Sequence, residues 1–292
     1  VIIITNRRNV LKTGTGILAA GLLPVSLFAQ TASPFLIGVC SELGDLDKIM
    51  TSDIAYLEPP VYDFLIPKEP EINFQKKLDI VKNSKLLTPV CNSFIGGDLK
   101  SVGPNHVKDD VLKYAEVAFK RAQRAGVEQI VYGSGGSRRI PDGFSKIEAR
   151  AQFVSLLTDM APLAQKYGVN LCLEPLRSEE TNFINFMQDG VDILEEVNHP
   201  NAMLVCDYYH VTQEGRGVND VYAARKYIKH VHIAEDQERA PPGVFGEDFR
   251  SFFKMLNEIG YAGRISIEAN WTDKASELPI GIRTLNRQIA AL

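Results

Sequence analysis

Four apolar runs in the second half of the chain lead to side chains that can bind a cation or move a proton. Leu171-Cys172-Leu173 leads to Glu174, and Leu204-Val205-Cys206 leads to Asp207. His230-Val231-His232-Ile233 carries His232 near its end, and Ile265-Ser266-Ile267 leads to Glu268. Each alone has an ordinary explanation. An acidic residue at a strand end often caps the next helix or pairs with an arginine, and a histidine in an apolar strand is often a hydrogen-bonded core residue. The conjunction is different, because carboxylates gathered at one point around an imidazole repel one another unless a cation sits among them. An oxygen-rich set with one nitrogen donor suits Mn²⁺, Mg²⁺ or Co²⁺, and Zn²⁺ is also compatible.

The elements needed to gather these residues can be read from periodicity. Short β-rich runs occur at Phe35–Val39, Ile54–Leu57, Thr88–Asn92, Gln129–Tyr132, Asn170–Glu174, Met203–Asp207, Lys229–Ile233 and Arg264–Glu268. Helical patterns fall between them, at Leu46–Met50, Phe74–Ser84, His106–Ala125, Ile147–Tyr167, Asn185–Val197, Asp220–Lys226 and Asp248–Ile259, with a last one at Leu278–Ala290. The third is the clearest, with Val107, Val111, Tyr114, Ala115, Ala118, Phe119 and Ala122 on one stripe. Glycines at 126, 168 and 260 end helices and lead into the next strand. Eight alternating β and α units predict one parallel (β/α)8 TIM barrel, in which chemistry belongs at the carboxyl ends of the strands. Strand side chains alternate, so if Glu174 and Glu268 face the barrel, Leu173 and Ile267 face the helices.

Composition narrows the function further. The 292 residues carry 32 basic and 36 acidic side chains, a net charge of −4, which provides no basic face for nucleic acid. After the first thirty positions no apolar run reaches the roughly 20 residues that span a bilayer. Those first positions are distinct. Asn6-Arg7-Arg8-Asn9-Val10-Leu11-Lys12 is a basic head, Gly14 to Phe28 is apolar, and Ala29 supplies a small residue for cleavage. Residues 1–29 therefore read as a twin-arginine-like signal peptide and 34–292 as the barrel domain, which predicts a periplasmic location. Cys40, Cys91, Cys172 and Cys206 form no C-x-x-C pair and lie in strand-like runs, so free, buried thiols are expected.

Leu173-Glu174-Pro175, Asp207-x-x-His210, His230-Val-His-Ile-Ala-Glu235 and Ile265-Ser-Ile-Glu268, in that order, resemble the xylose isomerase-like TIM barrel superfamily from about Phe35 onward. That group includes sugar phosphate isomerases and epimerases, ketose 3-epimerases, inosose dehydratases and endonuclease IV. The resemblance implies that Glu174, Asp207, His232 and Glu268 bind one divalent metal ion, with Glu174 and Glu268 as the acid/base pair. It also implies that Glu180, His210 and Arg239 hold sugar hydroxyls, with Arg239 one residue further from His232 than in the ketose epimerases. Barrels of this group often assemble as dimers or tetramers, which allows a homo-oligomer.

The expected activity is metal-dependent sugar isomerisation or epimerisation by proton abstraction beside a carbonyl, through an enediolate. With a leaving group at the β carbon, the same first step makes the enzyme a lyase or dehydratase on keto-glycosides. A non-catalytic periplasmic sugar-binding protein would not need two glutamates across a metal. An endonuclease IV-like trinuclear zinc site would need more histidines at the mouth than His210, His230 and His232, and the chain has five in all. Gly133-Ser134-Gly135-Gly136-Ser137-Arg138-Arg139 could cradle a phosphate or carboxylate, or be a rim loop whose arginines pair with carboxylates. An exported enzyme points instead to an unphosphorylated sugar or keto-sugar, against which Trp271 could stack. Tyr62 and Phe64 have similar potential, and Pro241 to Gly246 reads as a rigid loop near the site.

Overall fold

The computed structural model describes residues 34–292. The proposed leader at 1–29 lies outside the described residues. Eight parallel strands alternate with helices: β1 Leu36–Cys40, β2 Tyr56–Glu58, β3 Val90–Cys91, β4 Gln129–Tyr132, β5 Asn170–Leu173, β6 Ala202–Asp207, β7 Ile228–Ile233 and β8 Arg264–Ile267. The hydrogen-bonded order β2-β1-β8-β7-β6-β5-β4-β3 leaves one seam, between β2 and β3. That seam is bridged by backbone bonds from Leu57 N to Leu87 O and from Val61 N to Asn92 O, at 2.9 and 2.8 Å. The result is the expected (β/α)8 barrel.

Alternation along the strands sorts side chains into two cores. Leu57, Leu171, Leu173, Leu204, Cys206, Val231, Ile233, Ile265 and Ile267 point outward and pack with the helices. Tyr56, Val90, Val131, Cys172 and Val205 point inward and form a small separate cluster in the bore. Gly38 is needed there, since a Cβ at this position would overlap the ring of Tyr56. The outward core is completed by helices such as the one at Lys108–Ala125, whose buried stripe is Val111, Ala115, Ala118, Phe119 and Ala122. It stops at Gly126, whose φ of 77° is the left-handed conformation that glycine adopts without strain. All four cysteines are free, three buried and Cys40 half-buried.

Several expected boundaries move. The helix expected over Phe74–Ser84 begins earlier, at Glu71, and the one expected over Asp220–Lys226 lies at Val218–Ala223. The strand expected over Thr88–Asn92 shortens to two residues. Two short helices, Gly135–Arg138 and Tyr208–Gln213, have no periodic signal, because neither is long enough to display a buried stripe. Among the described residues no helix is long and apolar enough to cross a membrane.

Candidate active site

Glu174 and Glu268 each follow the last residue of their strand, and Asp207 ends β6. The strand register places His232 directly beside Asp207 on one side and Ser266 on the other. These positions bring potential ligand atoms of Glu174, Asp207, His232 and Glu268 within 4.8 Å of one another. His232 Nδ1 is 2.9 Å from Glu174 Oε1 and 3.0 Å from Glu268 Oε2. A divalent ion with ligands at about 2.0–2.6 Å spans such a set, so the four residues fit one. Cys40 Sγ lies 3.9 Å from His232 Nε2, but burial first, and then Glu58, push its thiol well above the ordinary range. It sits beside Nε2 of His232, whereas Nδ1 is the ring nitrogen that faces Glu174 and Glu268.

Asp207 does two jobs. Its Oδ1 accepts from the backbone N–H groups of Tyr209 and His210 at 2.8 and 3.4 Å, capping the helix at Tyr208–Gln213. Its Oδ2 faces Arg239 Nη2 at 3.1 Å and His210 Nε2 at 3.5 Å. Arg239 also donates from Nη2 to Glu268 Oε2 at 2.5 Å and approaches Glu180 Oε1 at 3.7 Å. It reaches these partners from a left-handed backbone pair, with φ of 60° at Glu238 and 53° at Arg239. Backbone in that region is strained for such residues and turns the chain sharply back toward the barrel.

The two glutamates sit in different electrostatic surroundings. Burial raises Glu174 above the ordinary carboxylate range, and His232 offsets this only in part. Burial also acts on Glu268, but Arg239 and then His232 outweigh it and hold that carboxyl well below the ordinary range. The asymmetry follows from geometry, since the guanidinium hydrogen-bonds Glu268 and not Glu174. Burial lowers the His232 imidazole, but Glu58, Glu268, Cys40 and Glu174 reverse this and raise it well above its usual value.

A cavity of about 400 Å³ opens over this cluster, lined by Glu174, Glu180, His210, Arg239 and Glu268 together with Asn92, Tyr62 and the glycines at 133, 135 and 136. Gly133 is required by close approach, because any Cβ there would collide with Glu174 Oε2. Glu180, His210 and Arg239 are therefore brought together where the sequence expected them. Trp271 is not part of the lining; it packs against the outer core, with the Lys274 ammonium 5.9 Å from its ring centroid. Phe64 is also absent from the lining and fully buried in the outer core. The arginines of the glycine-rich segment do not form an anion cradle. Arg138 is fully buried and donates to the carbonyl of Glu174 at 2.7 Å, while Arg139 donates to the carbonyl of Glu179.

Two participants escape the sequence reading. Asn92 donates from Nδ2 to Glu268 Oε1 at 3.3 Å, and its buried Oδ1 has no protein partner. Glu58, at the end of β2, is fully buried beneath His232, and Leu57-Glu58-Pro59 repeats the Leu173-Glu174-Pro175 pattern. That repeat, together with the strand-end rule, was the available signal. Burial pushes Glu58 up, but His230 and His232 outweigh it and hold the group ionised.

An acid-lined, cation-competent pocket at the carboxyl mouth of a (β/α)8 barrel defines a class of barrel enzyme sites. The chain belongs to the Xylose isomerase-like TIM barrel family, whose profile matches residues 68–288. It is 39% identical over 123 residues to the L-ribulose 3-epimerase of Methylomonas sp., covering 42% of this chain and 43% of that protein. It is 25% identical over 246 residues to an inosose isomerase of Halalkalibacterium halodurans, covering 75% of this chain and 82% of that protein. The chain thus spans about two fifths of the length of the first curated relatives it matches. The crystal structure of a Methylomonas sp. D-allulose 3-epimerase superposes with a TM-score of 0.76 at 21% identity, covering 87% of this chain and 98% of that one, a likeness of fold.

Proposed function

We infer that the protein is a divalent-metal-dependent isomerase or epimerase of an unphosphorylated sugar or keto-sugar. The observation that carries this reading is the convergence of Glu174, Asp207, His232 and Glu268 under one cavity, with the two glutamates held in opposite protonation tendencies. These four residues would hold the ion, which when bound polarises a carbonyl and stabilises the negative charge of an enediolate. Glu268, whose charged form Arg239 favours, and Glu174, whose charged form burial disfavours, are the acid/base pair. Two carboxyl groups on opposite sides of a substrate can remove a proton from one face of a carbon and return one to the other. Glu180, His210 and Arg239 offer acceptors and donors for hydroxyl groups around that carbon. The names of the relatives, both epimerases and isomerases, support this class of reaction. A leader at residues 1–29 would deliver the enzyme to the periplasm, consistent with an unphosphorylated substrate, and cell fractionation tests it.

The deciding experiment incubates the Mn²⁺-supplied protein with ketoses and 3-keto-glycosides in D₂O and follows deuterium at the carbon beside the carbonyl. Isomerisation or epimerisation with deuterium uptake is expected. Release of an aglycone would reassign the reaction to elimination, conversion without deuterium uptake would overturn the enediolate route, and the absence of both conversion and exchange would leave only a binding protein. Glu174→Gln and Glu268→Gln should each slow turnover about 10²–10⁴-fold while metal remains bound.

A further inference from the structure

Beneath the cluster, outside the cavity lining, lies a hydrogen-bond network for which the reaction has no direct use. Glu58 Oε1 is 2.9 Å from His232 Nε2, and its Oε2 is 2.8 Å from His230 Nε2. Ser266 Oγ donates to the same Oε2 at 2.5 Å and is itself 2.7 Å from the hydroxyl of Tyr56. All five side chains are buried. A carboxylate only accepts, so it draws the Nε2–H of both histidines and the hydroxyl proton of Ser266. His230 Nδ1, on the far side of its ring, is buried with no partner, as expected for an imidazole whose one proton is donated at Nε2.

We propose that Glu58 is the positioning residue for His232, fixing its ring and its Nε2–H tautomer so that the Nδ1 lone pair faces Glu174 and Glu268. This rests on the metal reading given above. The geometry is the carboxylate–histidine–metal arrangement, in which the second nitrogen of a metal-binding histidine is held by a carboxylate and its basicity raised. His230, Ser266 and Tyr56 secure the carboxylate in turn. Glu58, His230 and His232 also have potential ligand atoms within 4.8 Å of one another. Their spacings of 2.8 and 2.9 Å are those of hydrogen bonds, and Ser266 claims a further lone pair of Oε2, so this group is a support and not a second metal site.

The test is a Mn²⁺ titration of the full chain, counting free ion by electron paramagnetic resonance, with the melting temperature of the metal-free protein measured alongside. Glu58→Ala should weaken Mn²⁺ about 10–100-fold. Glu58→Gln, whose carbonyl can still accept from Nε2, should recover part of that loss. Ser266→Ala should give a smaller loss in the same direction and carries the test if Glu58→Ala does not fold. Ring ¹⁵N shifts of the Mg²⁺-loaded wild type should report a protonated Nε2 and a bare Nδ1 at His232, with the preference lost in Glu58→Ala. Unchanged Mn²⁺ affinity in the folded variants, or two ions bound per wild-type chain, would overturn the role of Glu58. A wild-type chain that binds no divalent ion would instead overturn the metal reading itself.

Discussion

The barrel has an opening at each end, and the larger one is not the candidate active site. The amino-terminal hollow measures about 510 Å³ against about 400 Å³ at the carboxyl mouth. Its charges, Arg225, Lys229, Arg264 and Glu128, lie at the surface, and Arg264 pairs with Glu128 at 2.9 Å in reach of solvent. At the carboxyl mouth Glu174, Asp207, His210 and His232 are buried and converge. Volume therefore does not mark the chemistry. Removal from water does, because only there do neighbouring charges alter one another's protonation strongly enough to prepare a proton transfer.

The largest expected difference between the two ends comes from the metal. Chelation followed by dialysis should abolish turnover, and Mn²⁺ should restore it; activity that survives a metal-free preparation would break the contrast. Gly133→Ala should displace Glu174 and lower kcat by about 10²-fold, the scale expected of a misplacement near 1 Å, with the melting temperature as the control for folding. A smaller effect belongs to the rim of the carboxyl mouth, where Asp45 accepts from Lys274 at 2.7 Å. Hydrogen bonds from Lys274 and then Lys48 lower this carboxyl from 3.8 to about 2. Its stabilisation is present above pH 4 and is lost as pH falls through about 2. Asp45→Asn should therefore cost about 0.5 kcal/mol at pH 7, discounted for solvent exposure, and the deficit should vanish near pH 2 in denaturant melts. Least of all, Arg264→Ala at the opposite end should leave kcat unchanged and alter stability by no more than about 0.5 kcal/mol. A large activity loss there would give the amino-terminal hollow a function.

What could be read from the chain, and what could not, divides along the same line. Short β-rich runs between helical patterns located all eight strands, and the carboxyl-end rule then led directly to Glu174, Asp207, His232 and Glu268. Glu58 escaped because the strand expected over Ile54–Leu57 ended one residue short of it. Arg138 was expected at an anion or a carboxylate and instead braces the Glu174 carbonyl, because arginine is almost never fully buried and its type gives no hint of that role. Trp271 lies just beyond Glu268 in sequence but turns toward Lys274, and local spacing carries no information about that rotation. Strand-end residues were legible where the expected run reached them; the directions in which Arg138 and Trp271 turn within their loops were not.

The ring of Tyr56, seated over Gly38 among Val90, Val131, Cys172 and Val205, works as a stopper between the two ends. In the proposed reaction, hydrogen exchanged with solvent would therefore pass through the carboxyl mouth, the side on which the cavity opens.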